Sequence, residues 1–249
     1  MGSDLSKDDQ ERSLWVIKSR ALARWVKSEQ SAVLVVNGQA KRVMRKSGLT
    51  FVCARLIYAL DQIREPDQSQ PARPDLIPTH FFCGQHDTDE ETWASPSGVI
   101  NSLVAQVVSQ CKDVNLGKID NLGEFDSDDI KAVFERFKLL LKELPAKSVV
   151  FCIIDGLSFY VDDDDKSNDA IWLATKLLRL AKKSPKGQCV LKVLLTAPNR
   201  LRVSEVDELE GDEVLNIPAT LPNTGGFTAM KWDFVSRPQL ESFGSSQGA

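Results

Sequence analysis

The chain has 249 residues, 42% of them hydrophobic and 27% charged, the composition of an ordinary globular domain. Its 31 Lys and Arg against 35 Asp and Glu leave a net charge of −4, which removes the bulk electrostatic case for sequence-independent binding to nucleic acid or an anionic membrane. The longest apolar run, residues 149–154, falls far short of the ~20 residues needed to span a bilayer, and the polar N-terminus lacks the apolar core of a signal peptide. A cytosolic protein with neither nucleic-acid nor membrane partners is expected.

Hydrophobic periodicity alternates between helix-like and strand-like segments, which points to an α/β fold whose mainly parallel sheet is covered by helices on both faces. Leu14, Trp15, Leu22, Trp25 and Val26 share one face of an expected N-terminal helix, with the two tryptophans in packing positions. This helix leads into a strand over residues 32–37. After a polar loop, Leu49, Val52, Cys53, Leu56, Ile57, Leu60 and Ile63 recur at the spacing of an amphipathic helix. Residues 66–78, with four prolines, read as a surface loop ending at a short strand over 80–83.

A helix carrying Val99, Ile100, Leu103, Val104, Val107, Val108 and Cys111 comes next. An acidic connector follows, and Asp126 to Asp129 then supply caps and negative charge to a helix bearing Ile130, Val133, Phe134, Phe137, Leu141 and Leu144, stopped by Pro145. Residues 148–154 are nearly unbroken apolar, as suits a central parallel strand buried on both faces. A helix over about 168–183, a strand over 190–196 and a weaker strand around 213–217 complete the pattern. One domain over 14–235 is expected, between a disordered segment, 1–13, and a flexible tail, 236–249.

The five cysteines are odd in number and widely spaced, so a disulfide framework is not expected. His80, Cys83 and His86 superficially offer metal ligands. No second Cys/His pair exists to complete a tetrahedral shell, so zinc is not expected.

In a parallel sheet, ligand chemistry belongs to the loops leaving the strand C-termini. Gly38 to Thr50 joins a buried strand to an amphipathic helix, the position at which a P-loop cradles phosphates. The standard pattern is G-x-x-x-x-G-K-[ST]. Here Arg45 precedes Lys46-Ser47 in place of glycine, and Gly38 lies eight residues before Lys46 instead of six. The alternative is an ordinary loop in which Ser47 caps the helix and the basic residues are solvated. The 149–154 strand ends in Asp155, as in a Walker B element. Gly156 follows it, so no general base is evident, and Asp162 to Asp165 read as a solvated acidic turn. The strand over 190–196 delivers Thr196, Asn199 and Arg200 to the same edge.

Together the segments Trp25-Val26, Leu34-Val-Val-Asn-Gly38, Arg45-Lys-Ser-Gly-Leu-Thr-Phe-Val-Cys-Ala54, Phe82-Cys-Gly-Gln-His86, Phe151-Cys-Ile-Ile-Asp-Gly156, Phe159-Tyr160 and Leu194-Leu-Thr-Ala-Pro198 resemble, in order and spacing, a P-loop NTPase of the STAND class. The likeness is to NACHT domains, specifically the divergent NACHT-like proteins of filamentous fungi. It implies a sheet ordered 5-1-4-3-2, ATP or GTP bound between the P-loop and the Walker B strand, and use as a signalling switch. Gly38, Arg45, Lys46 and Ser47 then contact phosphate, Ser47 and Asp155 hold magnesium, and Asn199 and Arg200 sense the terminal phosphate. A degenerate switch core with weak or no hydrolysis is expected; the alternative is a pseudo-NTPase serving as a protein-interaction scaffold. An unrelated Rossmann-like enzyme is disfavoured, because no G-x-G-x-x-G follows the first strand.

Overall fold

The computed structural model describes residues 5–39, 45–64, 75–86, 88, 91, 93–111, 128–201 and 209–222. At the N-terminus it has two helices, α1 (Lys7–Ile17) and α2 (Arg20–Lys27), where periodicity suggested one helix after a disordered stretch. Ser6 starts α1 by accepting the Asp9 amide at 3.1 Å, and Arg12 and Ser13 are buried, so residues 7–13 are helical and pack through Arg12 and Ser13. The break at Lys18 and Ser19 is local in origin. The Ser19 hydroxyl accepts the Leu22 amide at 3.1 Å and opens a second helix.

Trp15 and Trp25 therefore sit on different helices. Trp25 is buried with its indole N–H donating to the Val193 carbonyl at 3.0 Å and its ring edge-on to Phe151, centroids 5.7 Å apart. Leu22 is buried beside it, whereas Trp15 is only half-buried. Trp25 and Leu22 thus fasten α2 to the sheet.

The remaining elements are β1 (Ala32–Asn37), α3 (Gly48–Arg64), β2 (Leu76–Phe82), α4 (Pro96–Gln110), α5 (Ile130–Glu143), β3 (Val149–Asp155), α6 (Ser158–Val161), α7 (Ser167–Lys182), β4 (Val190–Ala197) and β5 (Val214–Asn216). All neighbouring strands are parallel, in the order β2-β3-β4-β1-β5. This is the expected 5-1-4-3-2 order read from the opposite edge.

Alternate residues of the central strands enter two cores. Val33 and Val35 of β1, Val150, Cys152 and Ile154 of β3 and Leu191, Val193 and Leu195 of β4 pack with α4, α5 and α7. Leu34, Val36, Phe151, Ile153 and Leu194 pack with α2 and α3. Burial on both faces explains the unbroken apolar sequence of β3. Lys192, inside β4, is a charged residue among these apolar positions and is fully buried.

The strand expected over 80–83 instead begins at Leu76, within the expected loop, and ends at Phe82; Cys83 opens a 3-10 turn, Cys83–Gln85. Pro78 fits because β2 is an edge strand, and the backbone groups of alternate residues face away from β3, where no ladder donor is required. Helix α4 covers that edge. Gln106 accepts the His80 amide at 2.9 Å and donates to the His80 carbonyl at 2.8 Å, while Gln110 donates to the Pro78 carbonyl at 2.9 Å. The two side chains occupy part of the edge that another strand would otherwise use. Helix α5 starts as expected at Asp129, whose carboxylate accepts the Lys131 and Ala132 amides at 2.9 and 3.3 Å. The acidic connector, most of the proline-rich loop and the tail lie outside the described residues.

Candidate functional site

The C-terminal end of β1 is held from three sides. Asn37 donates to Asn216 Oδ1, accepts the Leu201 amide on its own Oδ1 and accepts the Ile217 amide on its carbonyl, each at 2.9 Å. Gly38 donates to the Ala197 carbonyl at 2.8 Å, and Gln39, in the left-handed region at φ 50°, donates to the Asn199 carbonyl at 2.9 Å. A side chain at position 38 would overlap the Pro198 carbonyl, so the close approach of these two loops requires glycine. The Arg12 guanidinium donates to the Gly38 carbonyl and, through Nε, to Asp8 at 2.9 Å.

Residues 40–44 lie outside the described part, and the loop resumes at Arg45. Arg45 and Lys46 are exposed, with the Arg45 backbone passing against Gly84. Ser47 does what the capping alternative requires. Its hydroxyl accepts the Leu49 and Thr50 amides at 3.2 and 3.3 Å, and its own amide donates to Thr50 Oγ1 at 3.1 Å. The Gly48 amide donates to the Asp9 carboxylate of α1 at 3.0 Å.

Asp155 ends β3 and is 3% exposed. Thr196 donates to its Oδ1 at 2.5 Å, the Cys53 thiol lies 3.9 Å away, and the Thr50 hydroxyl is near enough to favour its charged form. Burial pushes the Asp155 carboxyl above its ordinary range, and the hydrogen bonds from Thr196, Thr50 and Cys53 oppose that rise. Thr196 Oγ1 also accepts the Gly156 amide at 3.3 Å, where φ is 73°. The Thr50, Asp155 and Thr196 side chains therefore converge from the start of α3 and the ends of β3 and β4.

Ser47 and Asp155, paired in the sequence reading, are linked through Thr50, whose Oγ1 lies 3.3 Å from Ser47 Oγ. Thr50 is the residue that reading missed. Its signal was the triplet Gly48-Leu49-Thr50, which preserves the glycine and hydroxyl that end the P-loop pattern but places leucine where the pattern has lysine. Leu49 is buried in the apolar core, 3% exposed. Of the two residues expected as sensors, Asn199 donates to Asp162 at 2.8 Å and Arg200 is exposed.

His80, Cys83 and His86 point to different neighbours. His80 lies edge-on to Phe82, Cys83 is buried, and His86 bonds Glu91 through Nδ1 at 2.9 Å. All five cysteines are free thiols. Among the described residues, no helix is long and apolar enough to cross a membrane, and no three His, Cys, Asp or Glu side chains form a metal-binding group.

No curated protein matches the chain. Among solved structures it is similar to the Orc1 protein of Aeropyrum pernix, determined in complex with DNA, at 15% identity and a TM-score of 0.45; the match covers 96% of this chain and 50% of the other. The chain thus spans half the length of that protein. The family model described as nephrocystin 3, N-terminal, matches residues 12–197, from inside α1 to the last residue of β4 and including every residue of the Thr50, Asp155 and Thr196 cluster. The chain belongs to the nephrocystin 3 N-terminal family.

Proposed function

We propose that the chain is the nucleotide-binding core of a STAND-class signalling switch, of the NACHT-like type found in filamentous fungi, which takes ATP or GTP with magnesium and hydrolyses it weakly or not at all. The observation that carries this reading is the convergence of Thr50, Asp155 and Thr196 where a strand-loop-helix unit meets the end of a buried apolar strand. Asp155 and Thr50 offer oxygen donors only, which suits magnesium. Magnesium, when bound, neutralises charge on the nucleotide phosphates. Asp155 and Thr50 hold the metal, while Arg45 and Lys46 at the end of the loop and Gly38 at its start face the phosphates. Asn199 and Arg200, on the loop beside Gly38, read the terminal phosphate.

Weak hydrolysis follows from the same residues. A general base must reach the attacking water. Asp155 is engaged by Thr196, and Gly156 brings no second carboxylate. A domain of this kind reports which nucleotide it holds, and a cytosolic location suits that role.

One observation favours the scaffold alternative: Leu49 stands in the core at the place of the pattern's lysine. Equilibrium titration with fluorescent ATP and GTP analogues, with and without magnesium, separates the two readings. Saturable binding tightened by magnesium and weakened in Lys46→Ala supports the nucleotide-binding core. Absence of binding up to millimolar concentration supports the scaffold.

A further inference from the structure

Helix α1 reaches the loop between β1 and α3 at three points. The Asp9 carboxylate accepts the Gly48 amide at 3.0 Å, the Ser13 hydroxyl lies 2.9 Å from the Gly48 carbonyl, and Arg12 donates to the Gly38 carbonyl. Arg12 and Ser13 are buried in this contact, and a side chain at position 48 would overlap the Asp9 backbone. The other amides at the start of α3 are also taken. Leu49 and Thr50 donate to the Ser47 hydroxyl, and Phe51 donates to the Ser47 carbonyl at 3.1 Å.

Amides at the start of a helix favour an anion. In this chain the anion already present is Asp9. Its second oxygen accepts the hydroxyl of Ser6, the residue that caps α1, at 2.6 Å, a contact that orients the carboxylate toward Gly48. We propose that α1 is an autoinhibitory latch: the Asp9 carboxylate occupies the place of a nucleotide phosphate at Gly48, so nucleotide enters only as α1 withdraws. The proposal rests on the nucleotide-binding reading above. A phosphate and the Asp9 carboxylate compete for one amide and repel each other, so nucleotide binding and α1 docking oppose each other by linkage.

The test is titration of the full chain with magnesium-ATP and magnesium-GTP in the wild type, Asp9→Ala and Asp9→Asn. Far-UV circular dichroism and thermal melts establish that each variant is folded. Asp9→Ala should bind at least about tenfold more tightly than wild type, the lower part of the usual coupling range. Asp9→Asn, which keeps an oxygen acceptor but loses the charge, should fall between them. Hydrogen exchange on the wild type supplies a readout independent of substitution: amides of residues 7–17 should exchange faster with saturating nucleotide. Equal affinity in all three proteins, with unchanged exchange in α1, overturns the latch and leaves nucleotide binding standing. Absence of binding in every variant overturns nucleotide binding and the latch with it.

Discussion

The Lys192 ammonium lies 3.0 Å from the Trp25 carbonyl, joining the interior of β4 to the last turn of α2. It also donates to the Ser28 carbonyl just past that helix. The α2 C-terminus has carbonyls without helical partners, and a buried lysine supplies donors for two of them. Burial depresses the Lys192 pKa from its ordinary 10.5 to about 7.

Between pH 7 and about 10.5 the unfolded chain therefore holds a proton on Lys192 that the folded chain has released, so raising the pH favours folding. Stability should climb from pH 7 to about 8. From about pH 8.5 upward the trend should reverse, because burial raises the pKa of the Cys53, Cys83, Cys152 and Cys189 thiols, and the unfolded chain loses those protons first. Urea midpoints at closely spaced pH values measure both limbs. Lys192→Met, which keeps the volume without the titrating group, should flatten the first limb and leave the second.

The Gln106 amide bonds both backbone groups of His80 on the outer edge of β2. Gln106→Ala should lower stability by about 1–3 kcal/mol, because the amide and carbonyl lose their partner together. Gln106→Glu should recover only the bond that accepts the His80 amide. Chemical denaturation of the three proteins gives the order.

Gly38 meets the Pro198 carbonyl so closely that Gly38→Ala must separate the β1 and β4 loops. A loss of about 1–3 kcal/mol is expected from the overlap. A melt that matches wild type would show that these loops part freely.

The strands were legible because burial on both faces forces continuous apolar runs in β1, β3 and β4. Strand order came from the family resemblance, since periodicity alone does not say which strands are neighbours. What the sequence hid was set by tertiary contact. Leu76, Ile77 and Pro78 read as loop because proline lacks a ladder donor, a defect that matters little on an edge facing Gln106 and Gln110. The division between α1 and α2 depends on the Ser19 cap overriding a continuous apolar pattern. Asp155 was legible as a carboxylate ending an apolar strand. Its partner was not, because a search anchored on Lys46-Ser47 passes over a triplet whose lysine is leucine.

Ser47 and Thr50 should consequently respond differently to substitution. Ser47→Ala removes a helix cap and should cost about 1 kcal/mol without a specific effect on magnesium. Thr50→Val removes the hydroxyl beside Asp155 and should abolish the magnesium-dependent part of nucleotide binding. Titrations with and without magnesium on both variants make the comparison.

The central claim is that this domain holds a nucleotide through magnesium at Thr50 and Asp155, and thermal melting tests it most directly. A nucleotide that binds only the folded chain adds about 2.7 kcal/mol at one hundred times its Kd. For a domain of this size each kcal/mol moves the midpoint by about 2–4 °C, so magnesium-ATP or magnesium-GTP at that excess should raise Tm by roughly 5–10 °C. The rise should shrink without magnesium and in Asp155→Asn, and should be reached at lower nucleotide concentration in Asp9→Ala. A Tm that stays fixed at millimolar ATP and GTP, in both wild type and a folded Asp9→Ala, would contradict nucleotide binding.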